Sequence, residues 1–343
     1  MKTAVTIGGY ANSDIGGAIE FVKQADKLGV DRVWSAEAWG QDSVTSLAYL
    51  AGQTERIGLG TGIMQISARV PSMIAMTALS MNMLSNGRFV LGLGVSGPQV
   101  VEGLHGVAYD SPLTRLRETV DIVRLGFSGE KLNYSGKRHV LPRPGGEGKA
   151  IRLDHPPTHI PIFLATLAPK SLEYTGAAAD GWLGTSFSPE YPDAHLTHLK
   201  KGASEAGRSL EELEISVACH VSIGDDVERM IEEKRSSVAF TMGAMGSAST
   251  NFYNDAFKRA GFTDDAKAIQ ELWLQGKRPE AAARVPDEMV TNFGALGTPD
   301  MVLERFKKYR AAGVNSLSLR FDEVGSAERI GLLEQALDLI GQV

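Results

Sequence analysis

The chain has 343 residues, with 35 basic and 41 acidic side chains and a net charge of −6. This mildly acidic balance argues against a nucleic-acid-binding protein, which concentrates basic residues on one surface. Hydrophobic residues make up 43% of the chain and charged residues 22%, a composition typical of a globular protein with a sizeable core. The single cysteine, Cys219, excludes a disulfide framework and a multi-cysteine zinc site.

The N-terminal segment and the apolar stretches bear on localisation. The opening residues, MKTAVTIGGYANSD, contain neither a sustained apolar run nor a small-residue cleavage site, so they do not predict a signal peptide. The longest apolar stretch, residues 160–168, is about half as long as a membrane helix. We therefore expect a soluble, cytoplasmic protein without a membrane partner.

Short apolar strands alternate with amphipathic helices along the chain. The predicted strands lie at 4–7, 32–35, 57–61, 89–93, 160–165, 181–183, 215–221 and 314–321. The helices that follow them are predicted at 15–28, 42–51, from Pro71 onward, 115–127, 170–178, 192–206, 226–240 and 329–340. Pro71 suits the first turn of its helix because the missing N–H has no intrahelical partner there.

Eight such units predict a single-domain (β/α)₈ barrel, the TIM barrel, over residues 1–343. A doubly wound parallel sheet is the alternative, although it usually has fewer strands at this length. Two long segments interrupt the alternation and predict insertions, at about 128–159 before strand five and at about 241–293 after strand seven.

In a barrel of this kind the functional residues follow the carboxyl ends of the strands. The residues predicted there are Gly8-Gly9-Tyr10, Glu37-Ala38-Trp39, Gly62-Ile63-Met64-Gln65, Val95-Ser96-Gly97, Thr166-Leu167, Thr185, His220 and Arg320-Phe321. They contain no Ser-His-Asp order, no HExxH motif and no acidic metal cluster, which disfavours a hydrolase or a metalloenzyme. They fit a slot for a flat ring, with His220 favoured as a core histidine over a pocket residue.

Residues 92–97 (GLGVSG) match the dinucleotide-binding pattern GxGxxG. The match is weak, because the pattern should lie in the first βαβ unit and open a helix directly, whereas this run belongs to unit four. Two other interpretations stay open: the glycines let the backbone approach a bound ring, or they fit a tight barrel end.

Four segments carry a resemblance to a known family: 59–63 (LGTGI), 91–98 (LGLGVSGP), 164–171 (LATLAPKS) and 176–182 (GAAADGW). In combination they resemble the luciferase-like superfamily of flavin and deazaflavin oxidoreductases. The run 95–103 (VSGPQVVEG) is most similar to the branch that uses coenzyme F420. The resemblance implies an F420-dependent oxidoreductase that transfers a hydride between the deazaflavin and an imine, activated alkene or alcohol carbon of a small-molecule substrate.

The resemblance also implies where the coenzyme binds. It implies a non-proline cis peptide bond at Gly62-Ile63, behind the ring, and phosphate contacts from the backbone of residues 166–168. The full set of expected cofactor-binding residues is Glu37, Ala38, Trp39, Gly62, Ile63, Met64, Gln65, Ser96, Gly97, Ala165, Thr166, Leu167 and Ala168. The alternatives are an FMN-dependent monooxygenase, disfavoured because no arginine lies in the phosphate loop, and a non-catalytic deazaflavin- or flavin-binding protein.

Glu37 is the expected catalytic residue. Relatives that oxidise sugar phosphates have a histidine after this acid, and Ala38 stands there instead, which puts their mechanism of alcohol oxidation in doubt. We expect burial beside Trp39 and the ring to raise the pKa of Glu37 so that it can move a proton; the alternative is a carboxylate that only accepts hydrogen bonds. The resemblance further favours a homodimer through helices two and three, where Met73 and Met76 suit an interface or core packing equally.

Overall fold

Parallel strands and helices alternate along the computed structural model, which describes residues 1–8, 14–245, 251–321 and 326–343. The strands are Lys2–Ile7 (β1), Arg32–Ser35 (β2), Gly58–Thr61 (β3), Met64–Gln65 (β4), Phe89–Gly94 (β5), Tyr134–Ser135 (β6), Val140–Leu141 (β7), Ile162–Ala165 (β8), Gly181–Gly184 (β9), Glu214–Ile223 (β10), Gly294–Gly297 (β11) and Ser316–Arg320 (β12).

Fourteen α-helices are present among the described residues. They are Ile15–Leu28 (α1), Thr45–Ala51 (α2), Pro71–Leu84 (α3), Pro98–Val101 (α4), Pro112–Phe127 (α5), Pro169–Ala178 (α6), Asp193–Glu205 (α7), Val227–Gly243 (α8), Phe252–Arg259 (α9), Thr263–Leu274 (α10), Arg278–Ala283 (α11), Asp287–Thr291 (α12), Pro299–Ala311 (α13) and Ser326–Ile340 (α14). A 3₁₀ turn spans Leu210–Glu212.

Eight of the strands close into a parallel barrel in the order β1-β2-β3-β5-β8-β9-β10-β12, and β12 pairs with β1. Each predicted strand corresponds to one of these eight, so the predicted TIM barrel is confirmed. The short β4 continues the line of β3 after a bulge and pairs with β5, whereas β11 pairs with β10 outside the barrel.

The side chains of each strand alternate between the surrounding helices and the barrel interior. The inward side chains form a separate apolar cluster of Ala4, Trp34, Val90, Phe163 and Leu183. At the amino-terminal end of the strands, the Arg32 guanidinium lies 4.9 Å from the Trp34 ring centre and pairs with Glu214 at 2.6 Å. These side chains fill the interior at the amino-terminal end of the strands, so a ligand can approach from the carboxyl ends.

The seventh unit differs from the sequence prediction. The helix predicted at 226–240 is present as α8, but it packs on α9 to α12 and contributes Ile231, Ala239 and Met242 to a second apolar core. The helix that lies against β10 and β11 and precedes strand eight is α13, which the sequence analysis missed. An amphipathic pattern shows that a helix has a buried face but not which core receives it. Residues 246–250 of the predicted second insertion lie outside the described residues.

Candidate active site

The inward side chains at the carboxyl ends of the strands line the barrel mouth. On β10 and β12, His220 lies in register with Arg320. Cys219 and Leu319, one position earlier, face outward into the core between barrel and helices, so His220 and Arg320 face the mouth. Both are exposed to solvent. The favoured interpretation of His220 as a core histidine is therefore wrong.

Small residues line the opposite side of the mouth. Gly94 and Ala165 lie side by side in register at the ends of β5 and β8, and both follow inward-facing residues, Val90 and Phe163, at even spacing. A Cβ on Gly94 would lie 3.0 Å from the Ile63 side chain, which extends over this glycine. The mouth is thus apolar and shallow on one side and basic on the other.

The glycines of β5 are explained by packing against strand three. A Cβ on Gly92 would lie 1.8 Å from the Thr61 carbonyl oxygen. The Thr61 hydroxyl accepts a hydrogen bond from the Gly92 N–H at 2.9 Å and donates one to its carbonyl at 2.8 Å. At Gly92 the glycine therefore serves a tight contact between two barrel strands, which agrees with the second of the two open interpretations at this position.

A bulge at the end of β3 carries the cis peptide bond Gly62-Ile63, as the resemblance implied. Beyond it, Met64 and Gln65 pair with β5. The buried Gln65 side chain donates hydrogen bonds of 3.1 Å to the carbonyls of Glu37 and Ala38. These bonds tie the end of strand two to the bulge of strand three.

The Glu37 carboxylate lies at the centre of this connection. One oxygen accepts hydrogen bonds from the Gln65 N–H at 3.1 Å and from Arg69 at 2.7 Å. The other accepts from Arg69 at 2.8 Å and from the N–H and hydroxyl of Ser43 at 3.0 and 3.2 Å. Arg69 lies in the loop after β4, away from any predicted strand end, and the sequence analysis missed it.

The predicted rise in the pKa of Glu37 is wrong. Burial by itself raises the pKa of this carboxyl, but the hydrogen bonds from Arg69, Ser43 and Gln65 and the Arg69 charge outweigh it, so the pKa lies below its ordinary value. Trp39, which was expected to exclude water from the acid, is 65% exposed. Glu37 is an ionised carboxylate held by five hydrogen bonds.

The loop between β8 and α6 leaves backbone donors free. Its carbonyls are bonded within the protein: Thr166 accepts from the Trp182 ring at 2.9 Å and Leu167 accepts from Arg259 at 2.8 Å. In the part of the chain that the structure describes, the N–H groups of Leu167 and Ala168 have no acceptor. These N–H groups precede the ten-residue helix α6, an arrangement that suits an anion.

An arginine from a distant segment contacts the β8–α6 loop. No arginine lies in the loop itself, but α9 brings the Arg259 guanidinium against it from the second insertion. The absence of arginine from residues 166–168 therefore does not discriminate against FMN. No sequence pattern connects position 259 to position 167, because only the packing of the insertion brings them together.

The predicted segment Ser96-Gly97 forms another part of the rim. Ser96 has a left-handed backbone with φ of 59°, and its carbonyl accepts a hydrogen bond of 3.4 Å from the Tyr109 hydroxyl. Burial raises the pKa of Tyr109 to about 12, so it is a neutral donor. A cavity of about 260 Å³ lies beside this rim, between the Arg69 loop and the start of α5.

Gly9 and Tyr10, at the end of the first strand, lie outside the described residues. Within the ranges that the structure covers, no group of three or more His, Cys, Asp or Glu side chains could hold a metal ion, and no helix is long and apolar enough to cross a membrane.

Fold and site together define a TIM-barrel enzyme whose mouth suits a flat ring and an anionic group. The model of the luciferase-like monooxygenase family matches residues 2–316, and the chain belongs to this family. A candidate coenzyme F420-dependent oxidoreductase of Mycobacterium tuberculosis is 37% identical over 339 residues, covering 96% of this chain and 97% of that protein.

Two methanopterin enzymes are further relatives. The 5,10-methylenetetrahydromethanopterin reductase of Archaeoglobus fulgidus is 29% identical over 303 residues, 87% of either chain. The solved structure of the coenzyme F420-dependent tetrahydromethanopterin reductase from Methanopyrus kandleri superposes with a TM-score of 0.80, at 23% identity, covering 98% of this chain and 97% of that one. At this identity the structural match shows the fold alone.

Proposed function

We propose that this protein is an oxidoreductase that binds coenzyme F420 in the barrel mouth and exchanges a hydride with an organic substrate. The observation that carries the proposal is the pairing of the small-residue side of the mouth, Gly94 and Ala165, with free N–H groups at Leu167 and Ala168. The M. tuberculosis relative is named as coenzyme F420-dependent, and this supports the deazaflavin over FMN.

The residues present fit a ring with a phosphate-bearing tail. Gly62 and Gly94 have no room for a larger side chain, because a Cβ at either position would lie 3.0 Å from Trp34 or Ile63. Ala165, beside Gly94, is also small, and Ile63 supplies an apolar surface against which the ring would lie. The N–H groups of Leu167 and Ala168 would bind the phosphate, with Arg259 adding positive charge at the same loop. The coenzyme, when bound, supplies the hydride chemistry. Ser96 and Gly97 would contact its edge.

Within this function Glu37 is a positioning residue. Its carboxylate fixes Gln65 and Arg69 and thereby the backbone of the β3 bulge, which sets the tilt of a ring lying against Ile63. The exposed Ala38 and Trp39 border the mouth and would face the substrate. Three points stay predictions. They are the substrate, which is expected to be an imine, an activated alkene or an alcohol; the cytoplasmic location; and the homodimer through α2 and α3.

The proposal is tested by titrating the protein with oxidised F420 and, separately, with FMN, following fluorescence. Micromolar or tighter binding of F420 and at least tenfold weaker binding of FMN are expected. Ala168→Pro sharpens the test because Ala168 has φ of −75° and precedes Pro169, so proline keeps the backbone angle and removes the N–H. Losing one charge-assisted bond of about 1.5–3 kcal/mol should weaken F420 binding about tenfold or more.

Thr298→Pro is the matched control. Thr298 also precedes a helix that begins with proline and has φ of −63°. This variant should lose some thermal stability with its cap and keep its affinity for F420. Preferential binding of FMN, or binding of neither coenzyme, would overturn the proposal. Turnover of no compound in a panel of imines, enones and alcohols by the F420-loaded protein would favour the non-catalytic binding protein instead.

A further inference from the structure

The basic side of the mouth has no assigned role in holding the coenzyme. Arg320 ends β12, and its register partner His220 ends β10. The two strands are bridged deeper in the barrel by a buried hydrogen bond of 3.2 Å between the hydroxyls of Ser216 and Ser316, on the same face of each strand. The pair His220 and Arg320 therefore forms the top layer of the interior, held on rigid strands rather than loops.

Arg320 carries a charge without a counter-ion among the residues that the structure describes. None of the ion pairs or side-chain hydrogen bonds within those ranges involves its guanidinium. The surrounding protein partly desolvates the guanidinium and lowers its pKa, although the residue remains exposed to solvent at the barrel mouth. A partly desolvated charge is normally paired with an opposite charge.

Among the described residues, the groups near Arg320 are hydrogen-bond donors or neutral. Tyr253 on α9 lies within electrostatic range of the guanidinium, and burial keeps its hydroxyl protonated by raising its pKa. Burial, with the charges of Arg320 and Lys234, lowers the pKa of His220 to about 4, so this ring is neutral at pH 7. Glu37, the acid at the opposite rim, is already neutralised by Arg69.

We propose that the substrate carries an anionic group, a carboxylate or a phosphate, that Arg320 binds at the mouth while Tyr253 and His220 contact the same group. This inference rests on the proposed function, since it places the reacting carbon over the small-residue side and the anion on the basic side. The planar guanidinium of arginine offers two parallel N–H donors to such a group, which fixes orientation as well as affinity.

The test uses calorimetric titration of inorganic phosphate and of acetate into the full-length protein, with and without F420. We expect one anion site on the F420-loaded protein. The anion that binds more tightly, phosphate or acetate, identifies the substrate's anionic group as a phosphate or a carboxylate. Arg320→Gln should weaken binding at least tenfold, Arg320→Lys less, and Tyr253→Phe by a few fold. Arg117→Gln is the control, because this arginine lies over Tyr174 on the outer helices and should bind like the unmodified protein.

The outcomes separate this inference from the proposed function. Arg320-dependent anion binding by a protein that does not bind F420 would sustain the anion site and reject the coenzyme. F420 binding with anion affinity that is absent, or equal in Arg320→Gln and the unmodified protein, would overturn the anion site alone. In the protein without F420, Ala168→Pro removes phosphate binding at the β8–α6 loop, so any phosphate bound there is distinguished from phosphate at Arg320.

A second readout uses matched substrates. With reduced F420 supplied as the hydride donor, the protein should reduce an unsaturated carboxylic acid at least tenfold better than its primary amide, measured as kcat/KM. Arg320→Gln should bring the ratio close to one, mainly by raising KM for the acid. A ratio that Arg320→Gln leaves unchanged would contradict the assignment.

Discussion

Replacing Glu37 by glutamine distinguishes a positioning carboxylate from a proton donor. In Glu37→Gln one oxygen becomes an NH₂ group that faces the donors of Arg69, Ser43 or Gln65, and Arg69 loses its counter-charge. Breaking a buried ion pair from one side costs about 3–5 kcal/mol. Because Arg69 keeps 21% of its side chain exposed, we expect the lower end, about 3 kcal/mol, or about 6 °C in Tm for a chain of this size.

The assays are urea unfolding and F420 titration on the same preparations. Glu37→Gln and Arg69→Gln should each lower stability and weaken F420 binding, and the double variant should lose about 2 kcal/mol less than the sum. Asp26→Asn is the control, because Asp26 accepts three backbone N–H bonds at the other end of the barrel. It should lower stability without changing the affinity for F420.

The pH dependence gives the decisive result. The folded pKa of Glu37 lies below its ordinary value of 4.5, so its stabilisation is complete above pH 4.5 and is lost as the pH falls through the folded pKa. Glu37 should therefore contribute no ionisation to turnover near pH 7. A Glu37→Gln variant that keeps its stability and coenzyme affinity but loses an ionisation of kcat/KM near neutral pH would refute the positioning role of Glu37.

Three further outcomes are expected. Gly92→Ala should abolish soluble expression because its Cβ would lie 1.8 Å from the Thr61 carbonyl. Gly97→Ala, whose Cβ would make only an ordinary contact of 3.7 Å with Gln99, should change Tm by no more than about 1 °C; equal yields of the two variants would contradict the packing argument. Arg259→Gln should weaken F420 binding about tenfold in the same fluorescence titration, and an unchanged Kd would remove it from the phosphate site. Burial, with the charges of Arg259 and His198, lowers the pKa of His195 to about 3. The unfolded chain therefore takes up the proton at a higher pH than the folded protein. The free energy of unfolding then falls below pH 6.5 by up to ~1.4 kcal/mol per pH unit. This slope should be absent when His195→Phe is unfolded in urea.

The sequence alone determined the barrel and the place of its mouth. Continuous apolar runs such as 89–93 are buried on both faces of a parallel sheet, and eight of them with helices between admit few other folds. The bulge at Gly62-Ile63 and the β8–α6 loop could also be located, because local motifs carry them. These features depend on residues that are close together in the chain, so a local sequence pattern is enough to predict them.

Only the tertiary structure decided how the site works. Arg69 neutralises Glu37 from a loop with no motif, Arg259 reaches the phosphate loop from an insertion 92 residues away, and Arg320 meets His220 across a strand pair separated by 100 residues. Burial raises a carboxyl pKa and donors lower it, so the sign of the shift depends on which groups surround the acid. That balance is set by packing between distant segments, and no pattern along the chain contains it.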